Sequence, residues 1–321
     1  MKAIAHVRYG RPQLLELGDA DLPKPAGDEV LVRVRAASVN PVEWYAVTGF
    51  LPARFGNGLR RPKDRGVGAD VAGVVEAAGK NVDDLRPADE VFGTASSSWA
   101  EYTTARPARL ALKPANVSFE EAAPVPIAGI TALQGLRDHG RIEPGQNVLV
   151  NGASGGVGTF AVQLAKGFGA KVTAVCSTTK VDLVRSLGAD RVVDYTEEDF
   201  TELGQRHDLM LDIAGSRSFL ACRRVLARDA TVVVVGGRMT YRGLGPLPHI
   251  VATMLKAKGR SQKLKLFRAD INTDDLEFLA ELLQGVRLKA VVERTYPLER
   301  AADALSYLGE GHAKGKVVLT M

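Results

Sequence analysis

Apolar and polar positions along the chain fall into three zones with different periods. From residue 1 to about 122 the apolar runs are short and broken by glycine and proline. In "EVLVRVRAA" (29–37), Val30, Val32 and Val34 recur at every second position, the period of a half-buried strand. "DVAGVVEAAG" (70–79) and "DEVFG" (89–93) read as further strands that end in turns. This zone predicts a β-rich domain with long loops. From 123 to about 264, apolar runs at 147–151, 171–176, 191–194, 208–213 and 231–235 are separated by segments of helical period. In the first of those segments Val157, Ala161, Leu164 and Phe168 share a face. Such alternation predicts a parallel sheet covered on both faces, binding ligands beyond the carboxyl ends of its strands. From 265 to 321, the helical patterns "TDDLEFLAELLQG" and "LERAADALSYL" precede a strand, "GKVVLTM", that can return to the first zone's sheet.

Composition narrows the function classes. With 321 residues, 45% hydrophobic and 25% charged, the chain has the make-up of an ordinary globular protein with room for two cores. Its net charge of +5 is spread along the chain, so no nucleic-acid face is predicted. The densest basic stretch, "RRPKDR" (60–65), reads as a solvated loop within the longer loop 49–66, which can border a substrate entrance. No apolar run approaches the roughly 20 residues of a membrane span. With no signal-like start, this gives the expectation of a cytoplasmic protein with no membrane partner. Cys176 and Cys222 have no CxxC spacing and read as packing residues rather than a disulfide or metal module.

The clearest chemistry lies in "NGASGGVG" (151–158), which follows an apolar run and opens a helix. It is a G-x-G-x-x-G fingerprint with Ala153 at the first position. Gly155 lets backbone approach a pyrophosphate, Gly158 permits close helix–strand packing, and the helix N-terminus attracts the anion. About 20 residues on, an NAD-binding fold places an acid to accept from the ribose hydroxyls. Here "AVCSTTK" (174–180) offers Ser177, Thr178 and Lys180, with no acid until Asp182. A carboxylate repels a 2′-phosphate, whereas hydroxyls and an ammonium bind it, so NADPH is the expected cofactor. Tyr195, ending the third strand, either reaches that phosphate or is a surface aromatic.

The stretches "AASVNPVEW", "GADVAGVVEAAG", "ADEVFG", "NGASGGVG", "LGADRVVDY" and "GHAKGKVVLT" occur in this order. Together they resemble the medium-chain dehydrogenase/reductase superfamily, and within it the zinc-independent quinone oxidoreductases. The resemblance implies an α/β fold: a Rossmann doubly wound parallel sheet at 123–264, and a GroES-like β-rich catalytic domain at 1–122 completed by 265–321. It sets Asn40, Ala69 and a position near Pro124 where the zinc branch carries its metal ligands, and no metal site is implied here.

The family likeness also implies a site. Ser154, Gly155, Gly156 and Val157 would hold the cofactor phosphates, with Ser177, Lys180 and Tyr195 at the adenosine 2′-phosphate. Gly236 and Gly237 would turn beneath the nicotinamide, and His312, Ala313 and Lys314 would close over the cofactor. Residue by residue the alternatives stay open. Asn40 bonds cofactor or substrate, or fixes the turn before Pro41. Tyr45 donates to a substrate oxygen or forms a pocket wall. Thr131 lies near the nicotinamide or packs in a helix, and Lys314 is a closing residue or an exposed turn lysine. Without zinc to polarise an oxygen, the expected reaction is hydride transfer to an already electron-poor acceptor, a quinone or an α,β-unsaturated carbonyl. Alternatives are an enoyl-thioester reductase and a noncatalytic NADPH-binding protein. No histidine has a carboxylate partner visible in the sequence, so no proton donor is assigned. A homodimer is the family expectation.

Overall fold

The structure is a computed structural model that describes every residue except 238–244, 246 and 312. Strands β1 (Lys2–His6), β2 (Leu15–Asp19) and β3 (Val30–Val39) come first, followed by helices α1 (Pro41–Thr48) and α2 (Leu51–Asn57). Next are β4 (Asp70–Ala78), β5 (Glu90–Thr94), β6 (Tyr102–Ala105), β7 (Leu110–Leu112) and α3 (Val125–Gln134). The alternating stretch runs β8 (Asn147–Asn151), α4 (Gly156–Gly167), β9 (Lys171–Cys176), β10 (Arg191–Asp194), β11 (His207–Asp212), β12 (Leu226–Val234), α5 (Leu247–Ala257) and β13 (Lys263–Leu266). The last elements are α6 (Thr273–Gln284), β14 (Val292–Pro297), α7 (Ala301–Gly309) and β15 (Lys316–Thr320). The chain divides into two compact units. One joins Met1–Ile130 to Asp270–Met321; the other spans 131–269 apart from the undescribed residues.

In the second unit the strands form a parallel sheet in the order β10-β9-β8-β11-β12-β13. Both faces are covered, so Val148–Val150 and Leu209–Leu211 are almost wholly buried, as uninterrupted apolar runs require. The order reverses between β8 and β11, which puts the ligand crevice of such a sheet at their carboxyl ends. Helix α4 is buried more widely than its predicted stripe. Phe160, Ala161, Val162, Leu164 and Ala165 are all inside, while Val157 and Phe168 are only half-buried. The helix packs against β8, β9 and the helical turn 135–139, so a single face does not suffice.

The first unit holds a mixed sheet ordered β14-β15-β3-β4-β5-β7, with β6 also paired to β3. Register shifts at Leu31/Val32 and Val34/Ala36 let β3 serve β4 along its length, β6 at one end and β15 at the other. Val30, Leu31 and Val32 are consequently all buried, where sequence alternation alone predicts a strand with one exposed face. The strand "GKVVLTM" does return to this sheet, with Val317 opposite Val39. Loop 49–66 contains a helix, α2, with Pro52 in its first turn, where the missing N–H costs nothing.

Candidate functional site

Beyond β8 the chain turns on Gly152, whose φ of +94° is open to glycine. The turn is tied down by Gly152 and Ala153 N–H donating to the Val175 carbonyl (3.3 and 3.0 Å). Gly155 stands at the N-cap of α4 in extended conformation, and no side chain caps the helix. A Cβ at Gly158 would fall 2.1 Å from the Gly152 carbonyl oxygen, whereas one at Gly155 would meet only that oxygen, at 3.7 Å. The first glycine is therefore a packing requirement and the second leaves room for a ligand. Ser154 is 6% exposed. A twelve-residue helix with an uncapped N-terminus behind a glycine cradle fits a dinucleotide phosphate.

At the carboxyl ends of β9 and β10, the Tyr195 N–H donates to the Cys176 carbonyl at 3.0 Å. That bond sets Tyr195 beside Ser177, which precedes the turn Thr178–Lys180. Ser177 and Lys180 are half-buried, and Tyr195 is 54% exposed. The predicted trio is thus assembled. It has a neighbour that its spacing did not reveal: Asp194, held below the usual carboxylate range first by the Thr178 hydroxyl. Its Oδ1 also accepts from the Thr196 N–H (3.0 Å) and hydroxyl (2.8 Å). Those bonds turn the carboxylate onto the 194–196 turn. Asp182, the first acid of the sequence stretch, pairs with Arg185.

At the switch point, Asn151 Nδ2 donates to Asp212 Oδ1 at 2.7 Å, and the Gly215 N–H to the same oxygen at 3.0 Å. His249 Nε2 lies 3.6 Å from Asp212 Oδ2. A histidine–carboxylate pair therefore exists among the described residues, although sequence spacing shows none, because its members lie on β11 and α5. Gly236 and Gly237 follow β12, where the Val235 N–H donates to the Asp212 carbonyl. A cavity of about 350 Å³ opens beside this pair, lined by Ser216, Arg217, His249, Thr253 and Lys256 among others.

In the first unit, Asn40 is the N-cap of α1 and Tyr45 sits on that helix. Asn40 is 2% exposed, and its carboxamide is fully engaged. Nδ2 donates to Asp70 Oδ2 (3.0 Å) and Ser38 Oγ (3.3 Å), and Oδ1 accepts from the Lys316 ammonium. The Ser38 hydroxyl donates to Asp70 Oδ2 at 2.5 Å, and the Ile127 N–H, in the first turn of α3, to Asp70 Oδ1 at 3.0 Å. Lys316 Nζ lies 3.8 Å from Asp70 Oδ2. Glu43 Oε2 accepts the Asn40 N–H at 2.7 Å while Oε1 is buried without a partner. Burial pushes the Asp70 carboxyl up and the Lys316 ammonium down, each opposed by the other's charge. Glu43 has less support. Burial, then repulsion from Asp70, raise it to about 8, so at neutral pH it carries a proton.

Sequence spacing missed Glu43, Asp70 and Lys316. An Asn-Pro-x-Glu start is a capping-box signal, whereas Lys316 opens β15, a position where a lysine is ordinary, so nothing local marked it. Tyr45 is half-buried, its ring 5.1 Å from Phe50, and burial raises its phenol above the ordinary value. Thr131 is half-buried on α3. Ala313 and Lys314 precede β15 and are half-buried, with the Lys314 N–H donating to Glu293 Oε2 at 2.6 Å. His312 lies outside the described residues.

Family models match this architecture. That for an "alcohol dehydrogenase GroES-like domain" covers 26–161, and that for a "zinc-binding dehydrogenase" covers 187–319. A 2-methylene-furan-3-one reductase of Solanum lycopersicum is 35% identical over 99% of this chain and 79% of its own. An NADPH-dependent alkenal/one oxidoreductase of Arabidopsis thaliana is 36% identical over the same shares. The chain belongs to the medium-chain dehydrogenase/reductase superfamily, in its quinone oxidoreductase subgroup. This superfamily member also superposes on the Escherichia coli quinone oxidoreductase complexed with NADPH, with a TM-score of 0.86 and 25% identity over all of both chains.

The zinc in one model's description does not fit this member of the superfamily. Ala69 and Pro124 offer no donor, the Asn40 carboxamide is taken, and a lysine ammonium occupies the cluster around it. No group of three His, Cys, Asp or Glu able to hold a metal occurs among the described residues.

Proposed function

We propose that the chain is an NADPH-dependent oxidoreductase that reduces a quinone or an α,β-unsaturated carbonyl without a metal ion. The observation that carries this reading is the pairing, in one unit, of the uncapped glycine-cradled helix α4 with Ser177, Lys180 and Tyr195 at the ends of β9 and β10. Ser154, Gly155, Gly156 and Val157 would hold the pyrophosphate, and the Ser177 set the 2′-phosphate. Gly236 and Gly237 are further candidates in the same unit, and Ala313 and Lys314 are separate candidates in the first unit. Bound there, NADPH supplies a hydride.

The protein's own part is to bind, orient and stabilise charge. A conjugated acceptor delivers its incoming charge to a carbonyl oxygen, where a hydrogen-bond donor suffices in place of a metal. Tyr45 is our candidate donor: burial keeps its hydroxyl protonated. Thr131, in the second unit, is a further candidate for orienting the ligand. Asn40 is assigned to fixing the start of α1, because its amide groups are all engaged elsewhere.

We further propose a homodimer. Strand β13 is a sheet edge, and Val251, Met254 and Leu255 on α5 are 51–69% exposed beside it, with Leu266 at 38%. A cytoplasmic location is in keeping with the two free, buried thiols, Cys176 and Cys222.

The test follows NADPH absorbance with an ortho-quinone, a short enal and a crotonyl thioester, with a chelator present. Turnover of quinone or enal that the chelator leaves unchanged is the expected result. Turnover of the thioester alone would assign an enoyl-thioester reductase, and none with any acceptor would defeat the proposal. Lys180→Ala is expected to raise KM for NADPH about ten-fold and leave NADH unaffected. Tyr45→Phe should lower kcat about ten-fold with the NADPH KM unchanged.

A further inference from the structure

Helix α2 buries none of its residues. Leu51 and Phe55, four positions apart and so on one side of the helix, are 43% and 72% exposed, and Leu59 just beyond is 56% exposed. A helix normally gives its apolar stripe to a core; this one turns it to solvent. Arg60, Arg61, Lys63 and Arg65 follow, all exposed, and none forms an ion pair among the described residues. The single acid of the stretch, Asp64, has its Oδ1 on the Gly66 N–H at 3.0 Å.

The patch is a fixed shape. Asn57 Oδ1 accepts from the N–H groups of Lys63 (3.1 Å) and Asp64 (2.8 Å), while its Nδ2 donates to the Asp64 carbonyl (3.0 Å). The Tyr9 hydroxyl donates to the Gly58 carbonyl at 2.7 Å, and the Arg54 guanidinium lies 4.6 Å over the Tyr9 ring. Apolar tips and cations are thereby held side by side.

We propose that this patch docks the protein on the surface of an anionic lipid bilayer. Helix α2 would lie in the interface with Leu51, Phe55 and Leu59 at the acyl boundary and Arg60, Arg61, Lys63 and Arg65 on lipid phosphates. Charge favours such a partner, because the cations are of one sign and uncommitted. Shape favours a fluid surface over a protein, since protruding tips on an otherwise unpacked helix need no matching pocket there. No helix among the described residues is long and apolar enough to cross a membrane, so the association is peripheral. The sequence expectation of no membrane partner rests on the absence of a span, a feature that this mode of binding does not need. The inference is independent of the hydride-transfer reading.

Vesicle co-sedimentation of the full chain tests it, using phosphatidylcholine alone and phosphatidylcholine with roughly a third phosphatidylglycerol. Binding should be confined to the anionic vesicles and weaken as salt rises from roughly 50 to 300 mM. Each cation near the surface contributes about five-fold, so Arg60→Ala/Arg61→Ala/Lys63→Ala is expected to lower partitioning about a hundred-fold. Phe55→Ala should lower it about ten-fold. These side chains are exposed, and an unchanged circular-dichroism melt confirms each variant's fold. Equal binding to neutral vesicles, or wild-type binding by the triple variant, overturns the proposal. So does a Phe55→Ala change that shrinks the eluting species while vesicle binding persists, which makes the patch a self-interface. Binding to soluble polyglutamate but to no vesicle would assign an acidic protein partner and also overturn it.

Discussion

Lys316 brings a buried cation to a place where two carboxylates have been removed from water. It can neutralise one. Asp70, with three further donors, is the better partner, and Glu43 is left to hold a proton. Folded chain therefore binds the Glu43 proton more tightly than unfolded chain does. The resulting stabilisation is complete below about pH 4.5 and is lost as pH rises through about 8. Urea unfolding at pH 5 and pH 9 should show the wild type losing stability on the order of 3 kcal/mol more than Glu43→Gln does. Lys316→Met leaves Asp70 buried without its cation and should cost about 3–5 kcal/mol, most of it recovered in Asp70→Asn/Lys316→Met. Loss in the double variant equal to that in the single would refute this account of the cluster. At this scale the sequence was half legible. The glycines and Ser177 announced themselves by local spacing, while Glu43, Asp70 and Lys316 meet only through α1, β4 and β15.

Elements were more legible than residues. The apolar runs at 147–151, 171–176 and 191–194 are strands with those same bounds, because a sheet covered on both faces leaves no polar interruption to blur them. Burial was read less well, since β3 and α4 are enclosed on sides that a stripe pattern leaves exposed. Helix α2 was hidden in a stretch rich in glycine and proline, whose propensities point to loop. Packing between elements depends on single atoms that no periodicity reports. Gly309 of α7 is such a case: a Cβ there would fall 2.0 Å from the Trp44 ring of α1. Trp44 is 6% exposed and has little room to yield. Gly309→Ala should lower stability by about 1–3 kcal/mol in thermal unfolding, and Gly309→Ala/Trp44→Phe by less than the two single changes added together.

At the scale of the whole molecule, strand–helix alternation was enough to place the parallel sheet. Nothing local could show which strands lie at its edges. Strand β13 is such an edge, with Leu266 exposed and Met254 and Leu255 close by. If it is the dimer contact, Leu266→Asp should halve the mass seen by light scattering after size exclusion, with the far-ultraviolet spectrum unchanged. A dimer that survives this change excludes that edge as its contact.

Sheet order in the first unit also has a consequence for biosynthesis. Lys316 and Val39 meet across 277 positions of chain. At about 5–20 residues per second, β3 leaves the ribosome roughly 15–55 s before the strand that completes its sheet. The residues made in between include the whole second unit, which has a compact set of contacts of its own. Until β15 arrives, one edge of β3 is open and Asp70 has no cation, so the nascent first unit waits as an unfinished sheet, a form for chaperones to shield.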